Sequence, residues 1–179
     1  DAGTGMTNTT DRATVNSRDG WEEYFAGPWE ANEGPSQTRH FMEALVAHLP
    51  EGVRRFLAAH DVDILDWGCA FGDGVAVLAE AFPQARVAGL DFSEVSIERA
   101  RATRPDHEFI WTADGHIPRD FDVIVTSNCL EHFERPLDYM RAHLRRCQLL
   151  YVVLVPYNEH PFDPSHRAQF REESFPEQL

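Results

Sequence analysis

The residues best suited to chemistry lie in two short stretches. Asp66-Trp67-Gly68-Cys69-Ala70-Phe71-Gly72-Asp73-Gly74 gathers small residues at Gly68, Ala70, Gly72 and Gly74, and Val87-Ala88-Gly89-Leu90-Asp91-Phe92 ends an apolar run in a carboxylate. Glycine lets the chain turn with positive φ and lets backbone come close to a ligand. In open α/β sheets ligands bind at the carboxyl ends of strands, so Asp91 is placed to accept hydrogen bonds from two ribose hydroxyls. Together the two stretches read as a cradle for a nucleoside-bearing cofactor.

The glycine spacing argues against a dinucleotide. A Gly-x-Gly-x-x-Gly register begun at Gly68 meets Ala70 and Asp73, and one begun at Gly72 meets Gly74 and Val77. Asp73 would also set a negative charge against a pyrophosphate at a helix N-terminus, where anions otherwise bind. A cofactor without phosphate is expected, and a nicotinamide-dependent oxidoreductase is the alternative that this spacing opposes. His132 can take up a proton near neutral pH, or it could merely cap the helix that follows. Glu131 could orient the imidazole or be solvated. Cys69, Cys129 and Cys147 lack metal-type spacing and imply no disulfide framework.

Alternating strand and helix signals would position these residues. Helices are expected over Ser36–Pro50 and Glu51–Ala59, covering the cofactor side. Strands follow at Val62–Asp66, Arg86–Leu90, Glu108–Trp111, Phe121–Thr126 and Leu149–Val155, with helices at Gly74–Ala81, Ser93–Ala102 and Pro136–Leu144 between them. This rhythm predicts an α/β, Rossmann-like, doubly wound and mainly parallel sheet with helices on both faces. The aromatic and acidic segment Trp21–Trp29, ending near Gly27-Pro28, suits an ordered flap better than a regular helix.

The length of 179 residues fits one domain, and no apolar run approaches the roughly 20 residues that span a bilayer. Residues 1–19, led by the Thr-, Gly- and Asp-rich Asp1–Asn16, read as a disordered or appended lead; residues 20–60 form the flap and helices, and 61–179 the core. The formal charge of −14, with every basic residue an Arg, disfavours nucleic acid as a partner. A cytoplasmic monomer or homodimer is expected.

The ordered stretches from Val62 to Pro156 resemble class I S-adenosylmethionine-dependent methyltransferases. Asp66 to Gly74 is similar to the family's first motif, Gly89-Leu90-Asp91-Phe92-Ser93 to the second, and Ala113-Asp114-Gly115 to the adenine-side motif. Phe121-Asp122-Val123-Ile124 is similar to the fourth strand, and Asn128-Cys129-Leu130-Glu131-His132 to the signature of the small-molecule branch. The resemblance implies S-adenosyl-L-methionine as donor, with S-adenosyl-L-homocysteine as product. It implies that Asp66 holds the turn and the methionine amino group, and that Gly68, Cys69, Ala70 and Gly72 form the cradle. Asp91 would bind ribose, Phe92 and Asp114 with Gly115 would flank adenine, and Asn128 would lie near the methionine portion. The acceptor would be a small molecule, methylated at oxygen with His132 as base.

Related enzymes carry a histidine-and-aromatic lid like the tail from Val155, which marks His166 as a catalytic candidate and Tyr157, with Glu131, as a substrate contact. Glu131, His132 and His166 also resemble part of the metal site of small-RNA 2′-O-methyltransferases. Asn128 stands where those enzymes have a further glutamate, and no metal is expected. The family sheet ends in a reversed hairpin, which the residues after Val155 cannot easily supply, so a truncated C-terminus or a reduced sheet is expected. A non-catalytic cofactor-binding protein is the remaining alternative.

Overall fold

In the computed structural model the described residues are 17–163 and 165–174. The expectation for Asp1–Asn16 lies outside them, whereas Ser17 to Asp19 are ordered. The Ser17 hydroxyl accepts the Gly20 amide at 3.0 Å and caps α1 (Arg18–Ala26), a contact that contributes about 1 kcal/mol. Trp21–Trp29 is therefore helical, contrary to the expected flap. Gly27 breaks the chain for a single residue, and Pro28, whose fixed φ suits a first turn, starts the short α2 (Pro28–Ala31). Then follow α3 (Gly34–His48) and α4 (Glu51–Ala59).

The α/β core runs β1 (Asp63–Trp67), α5 (Asp73–Ala81), β2 (Arg86–Asp91), α6 (Glu94–Thr103), β3 (Glu108–Trp111), β4 (Phe121–Ser127), α7 (Pro136–Leu144) and β5 (Cys147–Leu154). The sheet order is β3-β2-β1-β4-β5, and every pairing is parallel. The chain order reverses between β1 and β4, which opens a crevice at their carboxyl ends. A reduced sheet is what the described residues form.

Side-chain alternation splits the core between the two faces. Ile64, Val87, Val123 and Val125 pack with Met42 and Leu45 of α3, Val75 and Leu78 of α5, and Ile97 of α6. Leu65, Trp67, Ala88, Leu90 and Ile124 pack on the other face with Met140 of α7. β1 thus buries apolar side chains on both faces, as a central parallel strand does. Burying a side chain such as Leu65, 0% exposed, is worth roughly 1.5–3 kcal/mol. Of the two N-terminal helices expected to cover the cofactor side, α3 lends Gln37, Thr38 and Phe41 to the crevice. α4 contributes Leu57 to the core and lines no part of the crevice.

Candidate cofactor and active-site cleft

The turn after β1 is held by β2. The Gly68 and Cys69 amides donate to the Leu90 carbonyl at 2.8 and 3.1 Å. Gly68 has φ +82° and Gly72 φ +80°, conformations that cost an L-residue strain, and a Cβ on Gly68 would come within 2.5 Å of the Cys129 sulfur. Ala70 also has positive φ, +46°, and its amide donates to Asp91 Oδ2 at 3.0 Å. The Ser93 amide donates to Asp91 Oδ1 at 2.9 Å. Each oxygen of Asp91 keeps an acceptor site for a further donor. Burial pushes the Asp91 carboxyl up to about 6 against the pull of these backbone amides, so it is charged at neutral pH.

Above this turn opens a cleft of about 730 Å³. It brings together Gly68, Ala70, Asp91, Phe92, Asn128, Glu131, His132 and His166 of the expected site. The tail is strapped down beside them: the Arg167 and Ala168 amides donate to the Glu131 carbonyl at 2.7 and 3.0 Å, and Phe170 is buried in the core. His132 Nδ1–H donates to the Ser165 carbonyl at 3.3 Å, which leaves the Nε2 lone pair free to accept. His166 Nδ1 contacts Glu159 Oε2 at 2.7 Å. Burial pushes His132 down to about 4 and Glu131 up to about 7. Glu131 is 2% exposed and its Oε2 has no partner. Donor atoms of Glu131, His132 and His166 lie within 4.8 Å of one another, as do those of Glu159, Asp163 and His166, so either group could hold a metal ion.

Six expected residues do not line the cleft. Asp66 is buried beneath the start of α5, where a Cβ on Gly74 would meet its Oδ2 at 2.5 Å. That oxygen lacks a partner, and burial with the nearby Asp91 charge pushes the carboxyl up to about 7. Cys69 and Gly72 shape the turn from behind, and Gly72 is packed against Phe109. Asp114 accepts the His116 amide at 3.0 Å, and the Gly115 carbonyl accepts the Trp67 indole N–H at 2.8 Å. Both line a separate depression beside α7 instead. Tyr157 is 64% exposed and its backbone bridges to Phe170. Asp73 is paired with Arg104, which also donates to the Phe71 carbonyl at 2.8 Å, so the acidic helix start is neutralised away from the cleft.

Sequence reasoning missed the aromatic wall supplied by α1 and α2. Trp21, Tyr24, Phe25 and Trp29 line the cleft, and the Trp21 ring meets the His132 ring edge-on at 4.9 Å. Their spacing at i, i+3, i+4 and i+8 was a usable signal, hidden by Gly27-Pro28. The Ser127 hydroxyl, buried and unpartnered at the end of β4, was missed as well, and its type and position gave no signal.

A family model for a methyltransferase domain matches residues 65–150. Over that stretch, just under half of its length, the chain is similar to methyltransferase domains. The chain is 29% identical over 116 residues to a trans-aconitate 2-methyltransferase of Rhodopseudomonas palustris (strain BisB18), covering 64% of this chain and 45% of that protein. It is 32% identical over 108 residues to the enzyme of the same name from Deinococcus radiodurans, covering 58% and 41%. The chain therefore spans under half the length of these curated relatives. Among solved structures it resembles the plantazolicin methyltransferase BpumL in complex with SAH, with a TM-score of 0.59 and 22% identity over 82% of this chain and 58% of that one. It also resembles a SAM-dependent methyltransferase from Aquifex aeolicus, with a TM-score of 0.54 and 17% identity over 78% and 82%. These likenesses concern the fold.

The cleft fits S-adenosylmethionine as its ligand. Ser127 and Glu131, each with a buried oxygen that lacks a partner, line a mainly apolar cleft together with the Asp91 carboxylate, and no Arg or Lys is among its described lining residues. That set suits a nucleoside carrying a cationic sulfonium and supplies no cationic side chain to a pyrophosphate.

Proposed function

We propose that the protein transfers a methyl group from S-adenosyl-L-methionine to an oxygen of a small-molecule acceptor, releasing S-adenosyl-L-homocysteine. The observation that carries this reading is Asp91: a charged carboxylate at the tip of β2, beside the Gly68–Ala70 turn and on the cleft wall. Asp91 would hold the ribose, Phe92 would face the adenine, and Ser127 and Asn128 would meet the methionine portion. The bound sulfonium supplies an activated methyl group, so the chain's task is to hold the acceptor in line and exclude water. The aromatic wall from α1 and α2 supports that second role.

His132 would accept the acceptor's proton at Nε2 as the methyl group moves. Its low proton affinity keeps it neutral and ready at pH 7, and Glu131, whose donor oxygen lies within 4.8 Å, can take the proton onward. His166 would face the acceptor from the tail. The expected contacts from Asp66 and Asp114 would need the loops to shift. No helix among the described residues is long and apolar enough to cross a membrane, and the strongly acidic balance disfavours nucleic acid; a cytoplasmic monomer or homodimer acting on a metabolite remains our reading.

A second reading rests on the two metal-capable groups around His166. There a divalent ion would replace the His132–Glu131 relay and assist attack by a ribose hydroxyl. Calorimetric titration with S-adenosylmethionine, S-adenosylhomocysteine and NADH, followed by methyl-transfer assays with labelled donor with and without EDTA, tests both. Binding of the first two ligands alone, with transfer that survives EDTA, is expected. NADH binding would overturn the donor, tight binding without transfer to any metabolite of a broad extract would make the chain a non-catalytic binder, and loss of transfer in EDTA would favour the metal.

A further inference from the structure

The cleft carries a charge pattern that an acceptor has to match, and the inference drawn from it rests on the methyl-transfer reading above. Four carboxylates, Glu23, Asp91, Glu131 and Asp163, are among its described lining residues, and none of these is Arg or Lys. Arg18 is paired with Glu22, Arg39 with Glu43 and Glu80, Arg99 with Glu30, and Arg104 with Asp73, and Arg167, next to His166 on the tail, is not among the described lining residues. The two imidazoles do not compensate. His132 Nδ1 is turned to the Ser165 carbonyl at 3.3 Å, and His166 Nδ1 faces the Glu159 carboxylate at 2.7 Å.

The remaining surface is aromatic. Phe25 and Trp29 meet edge to face with ring centroids 5.1 Å apart, Tyr24 and Trp29 at 5.7 Å, and Phe133 lines the cleft as well. Such rings offer large, rigid faces to a flat body and favour cations over their π faces. S-adenosylmethionine, with a sulfonium, an ammonium and one carboxylate, is net cationic and suits this field. A second anion would find no Arg or Lys among the described lining residues and would face carboxylates across a low-dielectric space, where like charges repel strongly.

We propose that the acceptor is a small molecule with a flat, largely apolar body and no net negative charge, so that neutral and cationic hydroxy compounds are accepted and carboxylates are rejected. In this the chain would differ from the relatives named for trans-aconitate, a polycarboxylate.

Phenols of one shape and three charges test this: tyramine (cationic), tyrosol (neutral) and 4-hydroxyphenylacetate (anionic), with trans-aconitate as a fourth probe. The full chain is first saturated with S-adenosylhomocysteine, and each probe is then titrated by calorimetry and by quenching of tryptophan emission. Tyramine and tyrosol should bind at least tenfold more tightly than 4-hydroxyphenylacetate, and trans-aconitate should not bind. In a Glu23→Gln/Asp163→Asn variant the preference should fall below threefold. Equal or tighter binding of either anion, or no binding of tyramine and tyrosol to the saturated protein, overturns the proposal. Failure of S-adenosylhomocysteine to bind at the first step would instead strike the donor assignment.

Discussion

Glu22 of α1 caps α6, the helix that follows Asp91. Its carboxylate accepts the Ser93 hydroxyl at 2.7 Å, the Glu94 amide at 2.8 Å and the Val95 amide at 3.1 Å. A negative group here satisfies orphan amides and complements the positive end of α6. It also ties the aromatic wall to the strand that carries Asp91. Replacing Glu22 with Ala should cost roughly 1–3 kcal/mol of stability in chemical denaturation, and should speed proteolysis of the α1 segment in the folded protein. Unchanged denaturation and proteolysis would remove the tie.

Asp91→Ala should lower affinity for S-adenosylmethionine by on the order of 10- to 100-fold in calorimetric titration, through loss of charge-assisted ribose hydrogen bonds. Asp91→Asn keeps the shape and should recover only part of that loss. Equal affinity of all three proteins would refute the ribose assignment.

His132→Ala should reduce turnover by roughly 10²-fold while leaving donor affinity within about twofold, which separates a base from a structural cap. Glu131, pushed up to about 7, must be ionised to take the proton onward. The rate should therefore rise with pH to about 7 and level off above it. Glu131→Gln should flatten that rise.

Asp66 gives a stability prediction with a definite sign. Its carboxyl is raised to about 7 from 3.8. Between those values the folded state binds more protons than the unfolded state, so this group's contribution falls as pH rises from about 4 to about 7 and stays low above. Asp66→Asn removes the titration. Its stability relative to the parent should thus grow over that window, by a few kcal/mol at most, in denaturant melts without ligand. Buried His132 and His143 act in the opposite sense: both are lowered to about 4, so their contribution is lost as pH falls below 6.5. The comparison with the parent cancels their effect.

Gly68→Ala would put a Cβ at φ +82° and within 2.5 Å of the Cys129 sulfur. Strain and overlap together should cost roughly 2 kcal/mol or more. Adding Cys129→Ala should recover the overlap part and leave the strain.

The α/β core was legible because its signals are local. Glu108–Trp111 and Pro136–Leu144 match the observed elements residue for residue, and the other strands and helices of the core shift at their ends by one or two residues. The Gly68–Ala70 turn and Asp91 were legible for the same reason, since a short βαβ step brings them together. Long-range relationships were not. The contact from Glu22 to Ser93 spans much of the chain, and nothing near Glu22 marks it as a cap. Asp114 satisfies a local turn amide, an ordinary use of Asp before Gly that motif likeness alone could not distinguish from an adenine contact. Tyr157 points to solvent because the neighbouring backbone bridges to Phe170, a pairing no local pattern announces.

Ala70 holds a left-handed conformation that a glycine would adopt more cheaply, and its amide is clamped by the carboxylate across the turn. The loop is consequently a loaded spring whose catch is also the carboxylate proposed to grip the sugar. Engineering Ala70→Gly would slacken it, trading rigidity of the empty cradle for tolerance of bulkier donor analogues.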